Sequence, residues 1–139
     1  MTREELRSKM PHREPMLLVD DSTLLEDGSC VGHYTVRGDE FFLQGHFPDH
    51  PIVPGVMLCE MTVQSATPII LREIGSTEGK VSMLSGMRDV RFRNPVYPGD
   101  AVEFRCCLKR VMQSFYFIKG EAYVGDKLCM QGEFSIAVY

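Results

Sequence analysis

The sequence predicts an α+β protein in which an antiparallel sheet is laid against one long apolar helix. Three observations predict it. First, residues 54–75 open with Pro54-Gly55, carry apolar residues from Val56 through Ile74, and close at Gly75. Those features are the start, body and stop of a largely buried helix. Second, in 101–108 Val102, Phe104, Cys106 and Leu108 alternate with Ala101, Glu103, Arg105 and Cys107. Third, in 128–138 Leu128, Met130, Phe134, Ile136 and Val138 hold one parity, and Cys129, Gln131, Glu133 and Ser135 the other. A period of two marks strands with one buried face, and strands segregated from a helix give the α+β class.

The elements follow in order. Thr2 with Glu5 three residues on is a capping-box signature for a helix over residues 2–9. Strands are expected over 16–25 and 29–37, joined by a turn at Asp27-Gly28. Pro48, Pro51 and Pro54 then recur every three residues. Each fixes its own φ and biases the preceding residue away from helix, so Gly45 to Val53 is expected to be extended and stiff. Pro54 fits the first helical position, where its missing N–H is no loss. Pro68 lies within the helical pattern and should kink or end the helix. Everything after the helix reads as β. A strand over 114–124 turns at Gly125-Asp126 into the last one, so the final three strands form an antiparallel meander.

Composition narrows the class. A chain of 139 residues makes one domain over its whole length, large enough to bury most of a helix. Hydrophobic residues make up 44%, yet no apolar stretch reaches membrane-spanning length. The N-terminus, Met1-Thr2-Arg3-Glu4-Glu5-Leu6, mixes charges without an apolar signal core, so a cytoplasmic location is expected. The net charge of −4 argues against nucleic acid as a partner. Five cysteines, an odd number with Cys106 and Cys107 adjacent, argue for reduced thiols over a disulfide framework.

Residues 46–60 carry the chemistry: His46 on the proline-framed loop, the Pro54-Gly55 helix start, and Glu60 in the second helical turn. A histidine and a carboxylate meeting in an apolar pocket suffice to move protons at neutral pH. The N–H groups of Gly55 and Val56, at the positive end of the helix, suit an oxygen on which negative charge develops, and Gly55 lets it approach closely. Gln64 lies one turn beyond Glu60 on the same face. Apolar surroundings are expected to raise the Glu60 pKa, the state a general acid needs. His12, His33 and His50 are read as structural hydrogen-bonders. Metal is not expected: the spacing of His46 and His50 would serve zinc only on a helix, and Pro48 and Pro51 oppose one there. With no Gly-rich nucleotide loop, no cofactor is expected either.

The 46–60 segment resembles the active-site motif of the 3-hydroxyacyl-[acyl-carrier-protein] dehydratases, which have the hot-dog fold. The resemblance covers nearly the whole chain, through Pro11-His12-Arg13 with Leu17-Leu18-Val19-Asp20, through the run from Glu40 to Pro48, and through residues 91–100. It implies that His46 and Glu60 are the catalytic pair and that Gly55 donates to the thioester oxygen. Glu in place of Asp points to the dehydratase-only branch. The substrate implied is a (3R)-3-hydroxyacyl thioester on acyl carrier protein, dehydrated to the trans-2-enoyl thioester. Homodimers pairing edge to edge are implied too, with His46 and Glu60 meeting across the interface; some relatives form trimers of dimers. After Glu60 the chain departs from the small-residue run usual in that branch, since Met61 and Val63 are bulky and Pro68 interrupts, which opens chain length and a specialised acyl substrate to change. Tyr97 is a candidate tunnel gate. Arg88, Arg91, Arg93, Lys109 and Arg110 are candidates for a basic rim that steers an acidic carrier protein. The competing functions are a hot-dog acyl-CoA thioesterase or hydratase, and a non-catalytic acyl-binding subunit.

Overall fold

The computed structural model describes residues 1–139. Helix α1 spans Arg3–Lys9. The predicted capping box is present, with Thr2 Oγ1 accepting from the Glu5 amide at 3.2 Å and Glu5 Oε2 accepting from the Thr2 amide at 2.7 Å. Strands β1 (Asp21–Leu24) and β2 (Cys30–Thr35) follow, then a short 3₁₀ turn at Phe41–Leu43. Helices α2 (Gly55–Ser65) and α3 (Thr67–Ile74) come next. The remainder is β3 (Ser82–Phe92), β4 (Ala101–Met112), β5 (Phe115–Val124) and β6 (Lys127–Val138). All six strands form one antiparallel sheet in the order β1-β2-β4-β5-β6-β3, and β4-β5-β6 is the expected meander.

The helix approaches the sheet closely because the facing residues are small. A Cβ on Gly32 of β2 would stand 2.5 Å from Ser65 Oγ, and one on Gly120 of β5 would collide with the Thr62 methyl. Thr62 and Ser65 are buried, and each satisfies its hydroxyl on the carbonyl one turn back, Leu58 O and Met61 O. Pro68 ends the first helix and leaves two carbonyls without their helical partners. Side chains replace those bonds: Thr67 Oγ1 donates to Gln64 O at 2.7 Å, and Ser22 Oγ donates to Ser65 O at 2.6 Å. One core packs α2 against Phe104, Ala122, Met130 and Phe134; a second packs Ile69 and Ile70 of α3 against Ile118 and Ile136.

Several expectations need correction. The strand expected over 16–25 is only Asp21–Leu24. Leu17, Leu18 and Val19 are all buried, and their backbone is held by side chains, not by a ladder: Arg3 donates to Leu17 O and Val19 O, and Leu18 N donates to Gln64 Oε1. The strand expected over 29–37 is shorter at both ends. The 45–53 loop is not extended throughout, because Phe47 and His50 exchange backbone bonds across a tight turn. Pro54 caps the helix from outside it, with ψ of 137°, so Gly55 is the first helical residue. In β6 the parity breaks at its start: Ala122 pairs with Met130 but Tyr123 with Leu128, so Cys129 is a bulge residue turned into the core. All five cysteines are free.

Candidate active site

The turn at Phe47–His50 and the Val53–Val96 backbone bond carry His46 to the start of α2. Its Nδ1 lies 2.9 Å from Ile52 O. A carbonyl only accepts, so Nδ1 carries the hydrogen and the Nε2 lone pair of the neutral ring is free to take a proton. The ring stacks on Phe47 with centroids 4.4 Å apart. His46 lines an open cavity of about 560 Å³ together with Gly55, Val56, Phe92, Arg93 and Val96. No protein acceptor engages the Gly55 or Val56 amides. A Cβ on Gly55 would lie 2.7 Å from the Phe92 ring, so glycine is required for this packing as well as for close ligand approach.

Glu60 lines a different cavity of about 250 Å³, with Lys9, His12, Val63, Gln64, Ile70, Met83, Leu84 and Ile136 among its walls. The two cavities share no lining residue, so within one chain His46 and Glu60 do not converge. Glu60 Oε1 accepts from Gln64 Nε2 at 2.9 Å and faces His12 Nε2 at 3.2 Å. These contacts overturn the expected upward shift. The His12 hydrogen bond lowers the Glu60 pKa most, burial opposes it, and the Gln64 bond and the His12 charge lower it further, for a net fall below 4.5.

His12, read from the sequence as a structural hydrogen-bonder, makes its contact with the candidate residue Glu60. Its only signal is membership of the Pro11-His12-Arg13 stretch, which does not reveal a contact 48 positions along the chain. His33 is a structural hydrogen-bonder, with Nδ1 at 2.7 Å from Asp21 Oδ1, and His50 packs edge-on against Tyr97. Tyr97 lines neither cavity. Gln64 is buried, and its amide is fully engaged by Met16 O, Leu18 N and Glu60. Of the five basic candidates, all exposed, only Arg93 stands at the His46 cavity. Arg88 and Arg110 line a separate small cavity, where the Arg110 guanidinium lies 4.3 Å from the Phe117 ring centroid. Arg88 lies 3.6 Å from Asp89 Oδ2, Arg91 donates to the Val90 carbonyl, and Lys109 makes no ion pair.

Residues 10–133 match the model of the FabA-like domain. The chain belongs to this family. It is 40% identical to the 3-hydroxyacyl-[acyl-carrier-protein] dehydratase FabZ of Oleidesulfovibrio alaskensis, covering 93% of this chain and 85% of the relative. With the enzyme of the same name from Natranaerobius thermophilus the identity is 38%, over 96% of this chain and 94% of that one. Among solved structures, a chain of the dehydratase heterocomplex ApeI:P from Xenorhabdus doucetiae superimposes with a TM-score of 0.78 at 21% identity, covering 95% of this chain and 89% of that one. The fluoroacetyl-CoA thioesterase FlK gives 0.67 at 14% identity, covering 80% and 84%. Likeness at that level shows the fold alone, and the fold is the hot-dog. No helix is long and apolar enough to cross a membrane.

Proposed function

We propose that this chain dehydrates (3R)-3-hydroxyacyl thioesters of acyl carrier protein to trans-2-enoyl thioesters, as a step of acyl-chain synthesis in the cytoplasm. One observation carries the reading: His46 is tied at Nδ1 to a backbone carbonyl, so its Nε2 is a base ready beside the free Gly55 and Val56 amides. The thioester carbonyl sits against those amides and acidifies the adjacent carbon. His46 takes that proton, Glu60 delivers one to the departing hydroxyl from the minor fraction of sites in which its lowered pKa leaves it protonated, and water leaves. Val56 and Gln64 belong to this site as wall and brace, while Tyr97, which lines neither cavity, packs against His50 on the loop that carries His46. A metal ion or cofactor has no task in this sequence of steps.

The site is completed by a second copy of the chain. β3 is an eleven-residue edge strand whose outer side is unpaired, with Met83, Met87 and Phe92 about half exposed. Such an edge invites pairing with its own copy. A homodimer joined there brings one subunit's His46 toward the other's Glu60, and a trimer of dimers is the larger assembly. Arg93, at the mouth beside His46, is the first contact for an acidic carrier protein, with Arg88, Arg91, Lys109 and Arg110 extending the basic rim.

The test is absorbance at the enoyl thioester band with 3-hydroxyacyl thioesters on carrier protein and on CoA. Dehydration that is faster on the carrier-linked substrate supports the proposal. Release of free thiol without enoyl product supports a thioesterase, and no turnover of either substrate supports a non-catalytic subunit.

A further inference from the structure

We infer that His12 is a positioning residue for the proposed dehydration: with Gln64 it pins Glu60 Oε1, so that the proton delivered to the leaving hydroxyl is carried on Oε2. This rests on the function proposed above.

The geometry leaves little choice of oxygen. Oε1 faces two donors, Gln64 Nε2 at 2.9 Å and His12 Nε2 at 3.2 Å. Since Nε2 of His12 addresses a carboxyl oxygen, it must carry hydrogen. Gln64 cannot swing away, because its own amide is held by Met16 O and Leu18 N, both at 2.7 Å. Oε2 makes no hydrogen bond, and it is not among the buried atoms left without a partner, so it opens to the cavity. His12 Nδ1 is buried and has no partner at all. The ring's one hydrogen-bonding task is therefore Glu60.

Only three titratable side chains line this cavity: Lys9 of α1, His12 of the following loop, and Glu60 of α2. The walls supplied by α3, β3 and β6 contribute Thr67, Ile70, Ser82, Met83, Leu84 and Ile136, none of them titratable near neutrality. As the C2–H bond breaks toward His46 Nε2 and the C3–O bond breaks, the Oε2 proton passes to the departing oxygen. Water leaves and a carboxylate remains. Two donors already aimed at Oε1 stabilise that carboxylate as it forms, which makes Glu60 a stronger acid.

Removing the His12 donor should then move two quantities in opposite directions. The acid becomes weaker, so the plateau kcat falls about tenfold. Its titration also moves up, so the limb of the kcat profile that Glu60 sets shifts to higher pH. His12→Gln places an N–H near the Nε2 position and should restore both. The measurement is kcat against pH for wild type, H12A and H12Q, with the Glu60 carboxyl titrated directly by 13C NMR on glutamate-labelled protein and assigned by E60Q. If H12A does not fold, H12M fills the volume without the donor and is read in the same way. A profile merely scaled down in H12A or H12M, or a Glu60 titration that does not move, overturns the inference. Absence of dehydration by wild type would sink the proposed function instead, and the NMR titration would still report on His12.

Discussion

The two halves of the proposed site are built in opposite ways. On the loop side, His46 has one tether, to a backbone carbonyl, and sits in an open apolar cavity bordered by Phe92 and the exposed Val56. On the helix side, Glu60 is held by two side-chain donors in a smaller cavity, and one of those donors is itself locked by two backbone bonds. A base needs a free lone pair and little else, so a single tether that fixes its tautomer is enough. A carboxyl must be prevented from rotating and from pairing with any passing cation, which takes more groups. The loop side is finished by what binds to it, and the helix side is finished by its own chain.

The largest effect expected on that contrast comes from removing either reacting group. H46A and E60A should each lower kcat by ~10²–10⁴ with far-UV circular dichroism unchanged. Co-refolding the two inactive variants should recover turnover, because a mixed pair holds one intact site. No recovery would place both groups within one subunit and break the comparison.

Next is Gln64→Leu, which leaves the buried Leu18 N and the partly buried Met16 O without their partner. Denaturant unfolding should show a loss of about 2–3 kcal/mol, whereas F47A on the loop side should cost far less, since Phe47 is half exposed. Equal costs would erase the asymmetry. Gly55→Ala should lower kcat/KM about tenfold by displacing the Phe92 ring that now occupies the Cβ position. Adding Phe92→Ala should return part of it.

The smallest effect is on stability against pH. Glu60 has its pKa lowered in the fold, chiefly by His12. Glu40 is lowered too: burial raises it, but the Arg37 amide, Tyr34 hydroxyl and Gly38 amide together outweigh that. A lowered folded pKa contributes stability that is complete above the unfolded value of about 4.5 and lost as pH falls through the folded one. The urea midpoint should therefore be flat from pH 7 to 5 and fall below pH 4.5, less steeply in E60Q.

Much of this was legible in the residues. The period-two runs of 101–108 and 128–138 sit in β4 and β6, the capping box at Thr2 is present, and Pro68 marks the end of a helix. His46 and Glu60 stand out as candidates because both lie in one short segment. The failures share a cause. Leu17 to Val19 read as strand because apolarity shows burial but not which groups satisfy the backbone, and here Arg3 and Gln64 do so from a distance. The Glu60 shift was read from its apolar neighbours in sequence, while its direction is set by His12, which sequence spacing does not place there. The bulge at Cys129 has no local marker either, being a matter of register against β5.

The break at Ala66 has a consequence for how such a protein can change. Because side chains from β1 and from Thr67 take over the carbonyls that Pro68 leaves, α3 is joined to α2 by packing and not by a continuous backbone ladder. Its tilt and bulk can therefore be altered by substitution at Ile70 or Ile74 without turning Glu60 on its own helix. Glu60 and the Ile70 wall of its cavity thus stand on separate helices, so substitution on the second can resize the room beside the carboxyl while the residue that bears it keeps its place on the first.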